Sequence, residues 1–152
     1  MAGLYFEDFA EGQVYQHAVR RTVTETDHVF FTTLTHDTTP EYLDEEYART
    51  TPLGTRRVND IYTMALVCAA HVTELTLGTT VGNLGWDEVR YYEPVIIGDT
   101  LRSETRVMAL RESRKWPTAG IVTFEHSGHN QRDALVVVAR RVALMMRRPV
   151  AA

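Results

Sequence analysis

The chain has 152 residues, 44% of them apolar and 24% charged, with a formal charge of -4. That size and balance fit one globular domain spanning residues 1–152, and the net acidity gives no reason to expect a nucleic-acid partner. The single cysteine, Cys68, excludes an internal disulfide and suits a reducing compartment. The N-terminus shows no basic segment followed by an apolar run, and no stretch reaches about 18 uninterrupted apolar residues. The expected location is the cytoplasm, with no membrane partner.

Residues 1–13 read as an extended lead-in carrying Tyr5, Phe6 and Phe9 and ending at Gly12. Val14 to Val23, rich in β-branched and aromatic residues, is the first expected strand. Thr24 is a helix N-cap, with Asp27 three residues on in an acidic form of the capping box. Val29, Phe30 and Leu34 continue that helix at spacings near 3.6. Asp37 to Tyr42 is expected as a loop, because Thr38 and Thr39 form helix poorly and Pro40 restricts the residue before it. Leu43 to Thr50 forms a second short helix, and Thr51 to Arg57 a further loop with Pro52 and Gly54.

Asn59 to Thr76 is the long helix candidate, capped by Asn59 or Asp60 and followed by Gly78. At ~1.5 Å per residue it would run about 27 Å. Ile61, Met64 to Ala70 and Val72 make it apolar nearly all round, so structure is expected on every side. Four strand-like runs follow, at Thr80–Tyr91, Asp99–Arg111, Gly120–His129 and Ala134–Arg147. The last has apolar residues on both parities and reads as a strand covered on both faces. Asn130 to Asp133 is a polar hairpin connection, and Arg114 to Ala119 a longer loop. The order is one strand, helical pieces, then consecutive antiparallel strands. This is an α+β arrangement in which a curved sheet wraps a helix.

The segment Leu34-Thr35-His36-Asp37-Thr38-Thr39-Pro40-Glu41-Tyr42-Leu43-Asp44 resembles the active-site loop of the MaoC-like dehydratases and (R)-specific enoyl-CoA hydratases. That loop runs approximately Leu-Thr/Ser-Gly-Asp-x-Asn-Pro-x-His-x-Asp. Asp37 and Pro40 match; Tyr42 stands where the family has its catalytic His, and His36 where it usually has Gly. Tyr5-Phe6-Glu7-Asp8-Phe9 with Gly12 is similar to the family's N-terminal lead-in, and Arg21 to Asp27 to its strand-to-helix step. Pro94-Val95 with Gly98-Asp99-Thr100-Leu101 resembles its turn between two strands. Asn83 to Arg90 and Arg140 to Met145 are similar to a mesaconyl-CoA hydratase-like branch. The resemblance implies a hotdog fold, a homodimer or dimer of dimers, and water addition across C2–C3 of an acyl-CoA thioester. It implies no cofactor beyond the coenzyme A carried by the substrate. It also implies an Asp/His acid–base pair, and a backbone N–H at the start of the central helix that serves the thioester oxygen.

Each candidate residue has a functional and a plain reading. Asp37 is a general base or water-holding carboxylate, or it closes an Asx-turn on nearby amides. Tyr42, with a phenol near ~10, positions water or acts as a weak acid, or it simply packs. His36 offers an imidazole from a different position, but neighbouring side chains of an extended segment point opposite ways. Asn59, Asp60 and Ile61 form the helix start expected to meet the thioester oxygen. The Asp60 carboxylate can occupy those same amides, and its charge opposes an enolate. Arg56, Arg57 and Arg90 are candidates for the coenzyme A phosphates, or they are solvated surface residues. His126 and His129 fall on opposite faces of a strand, which argues against a metal site. His17, His28 and His71 are isolated and read as satisfied core or surface groups, and Cys68 as a small core residue.

Two function classes emerge. One is an acyl-CoA hydratase or dehydratase using Asp37, with Tyr42 or His36 assisting. The other is a non-catalytic acyl-CoA-binding subunit, possible as a partner of an intact hotdog hydratase in a hetero-oligomer.

Overall fold

A computed structural model describes residues 3–149. After a 3-10 turn at Phe6–Asp8 the chain forms β1 (Val14–Thr22), α1 (Glu25–Leu34), α2 (Pro40–Leu43), α3 (Glu45–Ala48) and α4 (Asp60–Ala69). A π-helical turn, Val72–Thr76, leads into β2 (Thr80–Tyr91), β3 (Thr100–Glu112), β4 (Ala119–His129) and β5 (Leu135–Met146). The strands make one antiparallel sheet in the order β1-β3-β4-β5-β2. α4 lies against its inner face, touching β3, β4 and β5. This is the hotdog arrangement expected from the sequence. Among the described residues no helix is long and apolar enough to cross a membrane.

The strand limits fall within a residue of expectation, and α1 starts as expected. Thr24 accepts from the Asp27 amide while the Asp27 carboxylate accepts from the Thr24 amide. Three expectations need correction. Helix α2 begins at Pro40 rather than after Tyr42, because the fixed φ of proline suits the first position of a helix. The long helix is interrupted: α4 spans Asp60–Ala69, about 15 Å, and Val72–Thr76 follows as a separate π-helical turn. At the break the His71 ring bonds to the Cys68 carbonyl, which ends the regular ladder. Nor is α4 covered all round, since Ile61, Ala65 and Ala69 make an exposed stripe at i, i+4, i+8.

Strand β5 is also less covered than its composition suggested. Val137, Ala139, Arg141, Ala143 and Met145 are buried on one face. On the other, Val138, Arg140 and Val142 are half-open and Met146 is exposed. Val136 and Leu144 on that same parity are buried, so the face is covered near both ends and opens in the middle, where Arg140 is held between Glu88 and Glu125.

Three apolar groups make the core, the smallest being Ala119, Ile121 and Leu144 with Val142 against them. Phe6 and Phe9 close over Val107, Val122, Phe124, Ala143 and Met145. Val67 of α4 packs with Val23, Val58, Val95, Leu101, Val136 and Val137. Helix and sheet approach closely at Gly128, where any side-chain carbon would overlap Val67.

Candidate active site

The site is built around the first turn of α4. A helix start leaves its opening amides without intrahelical partners, and here nearly all are taken. The Asn59 amide donates to His28 Nδ1 at 3.3 Å. Asn59 Oδ1 accepts from the amides of Ile61 at 3.0 Å and Tyr62 at 3.3 Å. The Asp60 amide is left on the side of the Tyr42 phenol. Of the backbone donors expected to serve a thioester oxygen, Ile61 is thus engaged by the Asn59 side chain, and the Asp60 amide faces the Tyr42 phenol.

Asp37 reaches the other end of the Asn59 side chain. Its Oδ2 accepts from Asn59 Nδ2 at 3.0 Å. Its Oδ1 accepts from the Thr39 amide at 3.1 Å and the Thr39 hydroxyl at 2.7 Å. The Asx-turn and a cavity-facing carboxylate therefore coexist in one residue. Asp37 lines a cavity of about 390 Å³ with Phe31, Thr35, Asn59 and Ile61. The Thr39 hydroxyl, then the Thr39 amide, with smaller help from Asn59 and Arg57, hold its carboxyl below the usual range. At neutral pH Asp37 is an anion that can accept a proton.

His36, just before it, is exposed and has left-handed backbone, φ 56. The turn out of α1 demands that conformation, which a glycine adopts without strain and a histidine adopts at some cost. His36 makes no hydrogen bond to Asp37 among the described residues.

Tyr42 is buried. Its hydroxyl donates to Asp60 Oδ2 at 3.2 Å, and the Arg57 guanidinium lies 5.1 Å from the ring centre. Burial, then the Asp60 charge, push the phenol above its ordinary value, with Arg57 and the Asp60 amide pulling the other way. Tyr42 is a neutral donor and cannot take the part of an imidazole base. Arg57 joins Asp60 at 3.1 Å and Glu41 at 2.9 Å. These three line a second cavity of about 380 Å³, walled by Leu53, Tyr91, Tyr92, Val95 and Val136. The two cavities flank the first turn of α4, and no hydrogen bond joins Asp37 to Tyr42 among the described residues.

The other two candidate arginines are engaged within the chain. Arg56 spans Glu25 and Glu45, both at 2.9 Å, tying α1 to α3. Arg90 is largely exposed on β2 and pairs with Glu88. No cluster of His, Cys, Asp and Glu among the described residues is arranged to hold a metal ion.

His28 was not foreseen as a site residue. It is fully buried on α1. Because Nδ1 accepts from the Asn59 amide, Nε2 carries the proton and donates to the Tyr42 carbonyl at 2.6 Å. One ring thereby sets both α2 and the start of α4. The available signal was spacing: His28 and Thr32 are the buried i, i+4 pair of α1.

Residues 8–141 match the family described as "MaoC like domain". The chain is 32% identical over 151 residues to a mesaconyl-CoA hydratase of Cereibacter sphaeroides, covering 99% of this chain and 43% of that protein. It is thus similar to less than half the length of that relative. It is 31% identical over 118 residues to an (R)-specific enoyl-CoA hydratase of Rhodospirillum rubrum, covering 75% of this chain and 76% of the relative. The solved MaoC-like dehydratase of Rhodospirillum rubrum superposes with a TM-score of 0.84 at 31% identity, over 97% of this chain and all of that one. Sheet order, the Asp37 loop beside the start of α4, and these matches agree: the chain belongs to the MaoC-like hydratase family.

Proposed function

We propose that this chain is a hydro-lyase that adds water to, or removes it from, C2–C3 of a 2-enoyl or 3-hydroxyacyl coenzyme A thioester. The observation that carries the reading is Asp37, an ionised carboxylate on a cavity beside the helix start. In hydration Asp37 takes a proton from water as the oxygen bonds to C3. The C2–C3 π pair moves toward the thioester oxygen, where the Asp60 amide and the helix dipole favour the developing charge. A proton then reaches C2 from the Asp37 carboxyl, or from the Tyr42 hydroxyl with the proton on Asp37 passing back through water to restore the phenol, and the thioester carbonyl reforms. Coenzyme A enters and leaves with the substrate, and no separate cofactor is needed.

The test is loss of enoyl absorbance with crotonyl-CoA or mesaconyl-CoA and purified protein. Turnover that falls at least about 10²-fold in Asp37→Asn supports the reading, in line with the worth of a placed acid–base group. Tight binding of both thioesters without turnover would replace it by a second reading, a non-catalytic acyl-CoA-binding subunit. That reading draws on Tyr42 and on the Asp60 charge at the helix start.

The same proposal includes self-association. Strand β2 is a sheet edge, with Val81, Leu84 and Trp86 exposed along it, and α4 leaves Ile61, Ala65 and Ala69 uncovered. Light scattering at micromolar concentration is expected to give a dimer or a dimer of dimers, or a hetero-oligomer when a second hotdog subunit is supplied. A monomer would contradict it.

A further inference from the structure

At the far end of α4 lies a polar cluster that the proposed chemistry does not use. His17 of β1, Thr105 of β3, His126 of β4, Arg141 of β5 and His71 after α4 are all buried. Their contacts run in one direction. Arg141 has only donors, so both rings that meet it must accept. Its Nε donates to His126 Nε2 at 3.1 Å, and its terminal nitrogen to His71 Nε2 at 2.6 Å. Each ring then carries its proton on Nδ1. His71 Nδ1 donates to the Cys68 carbonyl. His126 Nδ1 donates to the Thr105 hydroxyl at 2.8 Å. The Thr105 hydroxyl lies 2.7 Å from His17 Nε2, and His17 Nδ1 donates to Glu74 at 2.6 Å. Glu74 also accepts from the Ala18 amide at 3.0 Å.

The chain of bonds fastens β1 and the Val72–Thr76 turn to the sheet. The guanidinium inside it is that of Arg141, over the Phe124 ring at 5.4 Å. The one carboxylate is Glu74, at the solvent end. The remaining titratable neighbour is Cys68 on α4, whose thiol burial pushes up to about 12, so it stays neutral. The His71 and His126 rings stack at 4.7 Å.

We propose that this cluster is a proton-operated latch, closed while His71 and His126 are neutral, which releases β1 and the turn after α4 when either ring is protonated. A protonated ring has no lone pair for Arg141, and it sets a second cation beside a buried guanidinium. Consistent with that geometry, burial pulls His71 down to about 3, and it pulls His126 well below the usual imidazole range, with Arg141 adding to both. Because the folded values lie below the unfolded value of ~6.5, the rings' contribution is complete above that pH. It is lost as pH falls toward the folded values.

The experiment is urea unfolding between pH 7.5 and 5.5, above the carboxylate range. Linkage for two such rings gives a rise of about 100-fold in the unfolding constant over this interval. His71→Gln and His126→Gln should each remove about tenfold of that rise. Variants that lower stability at every pH and leave the pH dependence intact would overturn the proposal. Where a variant does not fold, nitrogen-15 NMR of the wild-type imidazoles decides. Neutral Nδ1–H rings at positions 71 and 126 down to pH 5 uphold the latch, and titration of either above pH 5 overturns it. Amide exchange adds the location: protection at Ala18 and residues 72–76 should fall before that of β3 to β5, and a uniform loss would count against release at this point.

Discussion

The two ends of α4 carry polar clusters of opposite character. At the start, the anions Asp37 and Asp60 stand beside cavities on either side of the helix's first turn. At the end, a buried cation, Arg141, is enclosed by imidazoles that must be neutral to accept from it. Both arrangements follow the helix dipole, which favours negative charge at the first turn and positive charge at the last. They differ in solvent access. The start keeps room beside its charges and can bind and react. The end is filled, so its bonds serve cohesion. Chemistry and stability are therefore expected to separate along one short helix.

The strongest way to break that contrast is Asp37→Asn. Turnover should fall by about 10²–10⁴, while the urea midpoint falls only modestly, because asparagine keeps an oxygen for Thr39 although its NH2 then faces Asn59 Nδ2. A large loss of stability would show that the carboxylate is mainly structural. At the opposite end, Arg141→Ala should destabilise by about 3 kcal/mol, since two buried ring nitrogens lose their donor. Any activity should survive in the fraction that remains folded.

Gly128→Ala tests the packing that holds the two ends in register. A methyl there meets Val67, and overpacking of this kind costs about 1–3 kcal/mol; an unchanged thermal midpoint would mean that α4 shifts freely. The smallest effect belongs to His36→Gly. Relief of left-handed backbone at an exposed site should change stability by less than about 1 kcal/mol, in the stabilising direction. A loss of activity larger than twofold would instead assign that imidazole a part in the reaction.

The start of the helix was far more legible in the sequence than its end. Asp37, Pro40, Tyr42, Asn59 and Asp60 lie in two short segments, and caps and turns obey local rules. The capping box of Thr24 and Asp27 is a case of the same kind. Even there, two local rules compete: Pro40 keeps Thr39 out of the helix, as the loop expectation has it, and opens α2 itself. His17, His71 and His126 gave no joint signal, because only the β1-β3-β4-β5 order brings them together. The break after Ala69 was hidden for the same reason. An apolar run with helical spacing contains nothing that announces a ring from residue 71 turning back on the Cys68 carbonyl. His28 sits between these extremes: its burial follows from helix periodicity, but its bonds to Asn59 and Tyr42 depend on where α2 and α4 settle.

The most direct measurement is a crystal structure with a bound, unreactive enoyl-CoA analogue. The account predicts C3 in the cavity of Phe31, Thr35 and Ile61, with a water bridging it to the Asp37 carboxylate. An analogue whose C3 lies among Tyr91, Tyr92 and Leu53, with Asp37 still closed on Thr39 and no water between them, would contradict it.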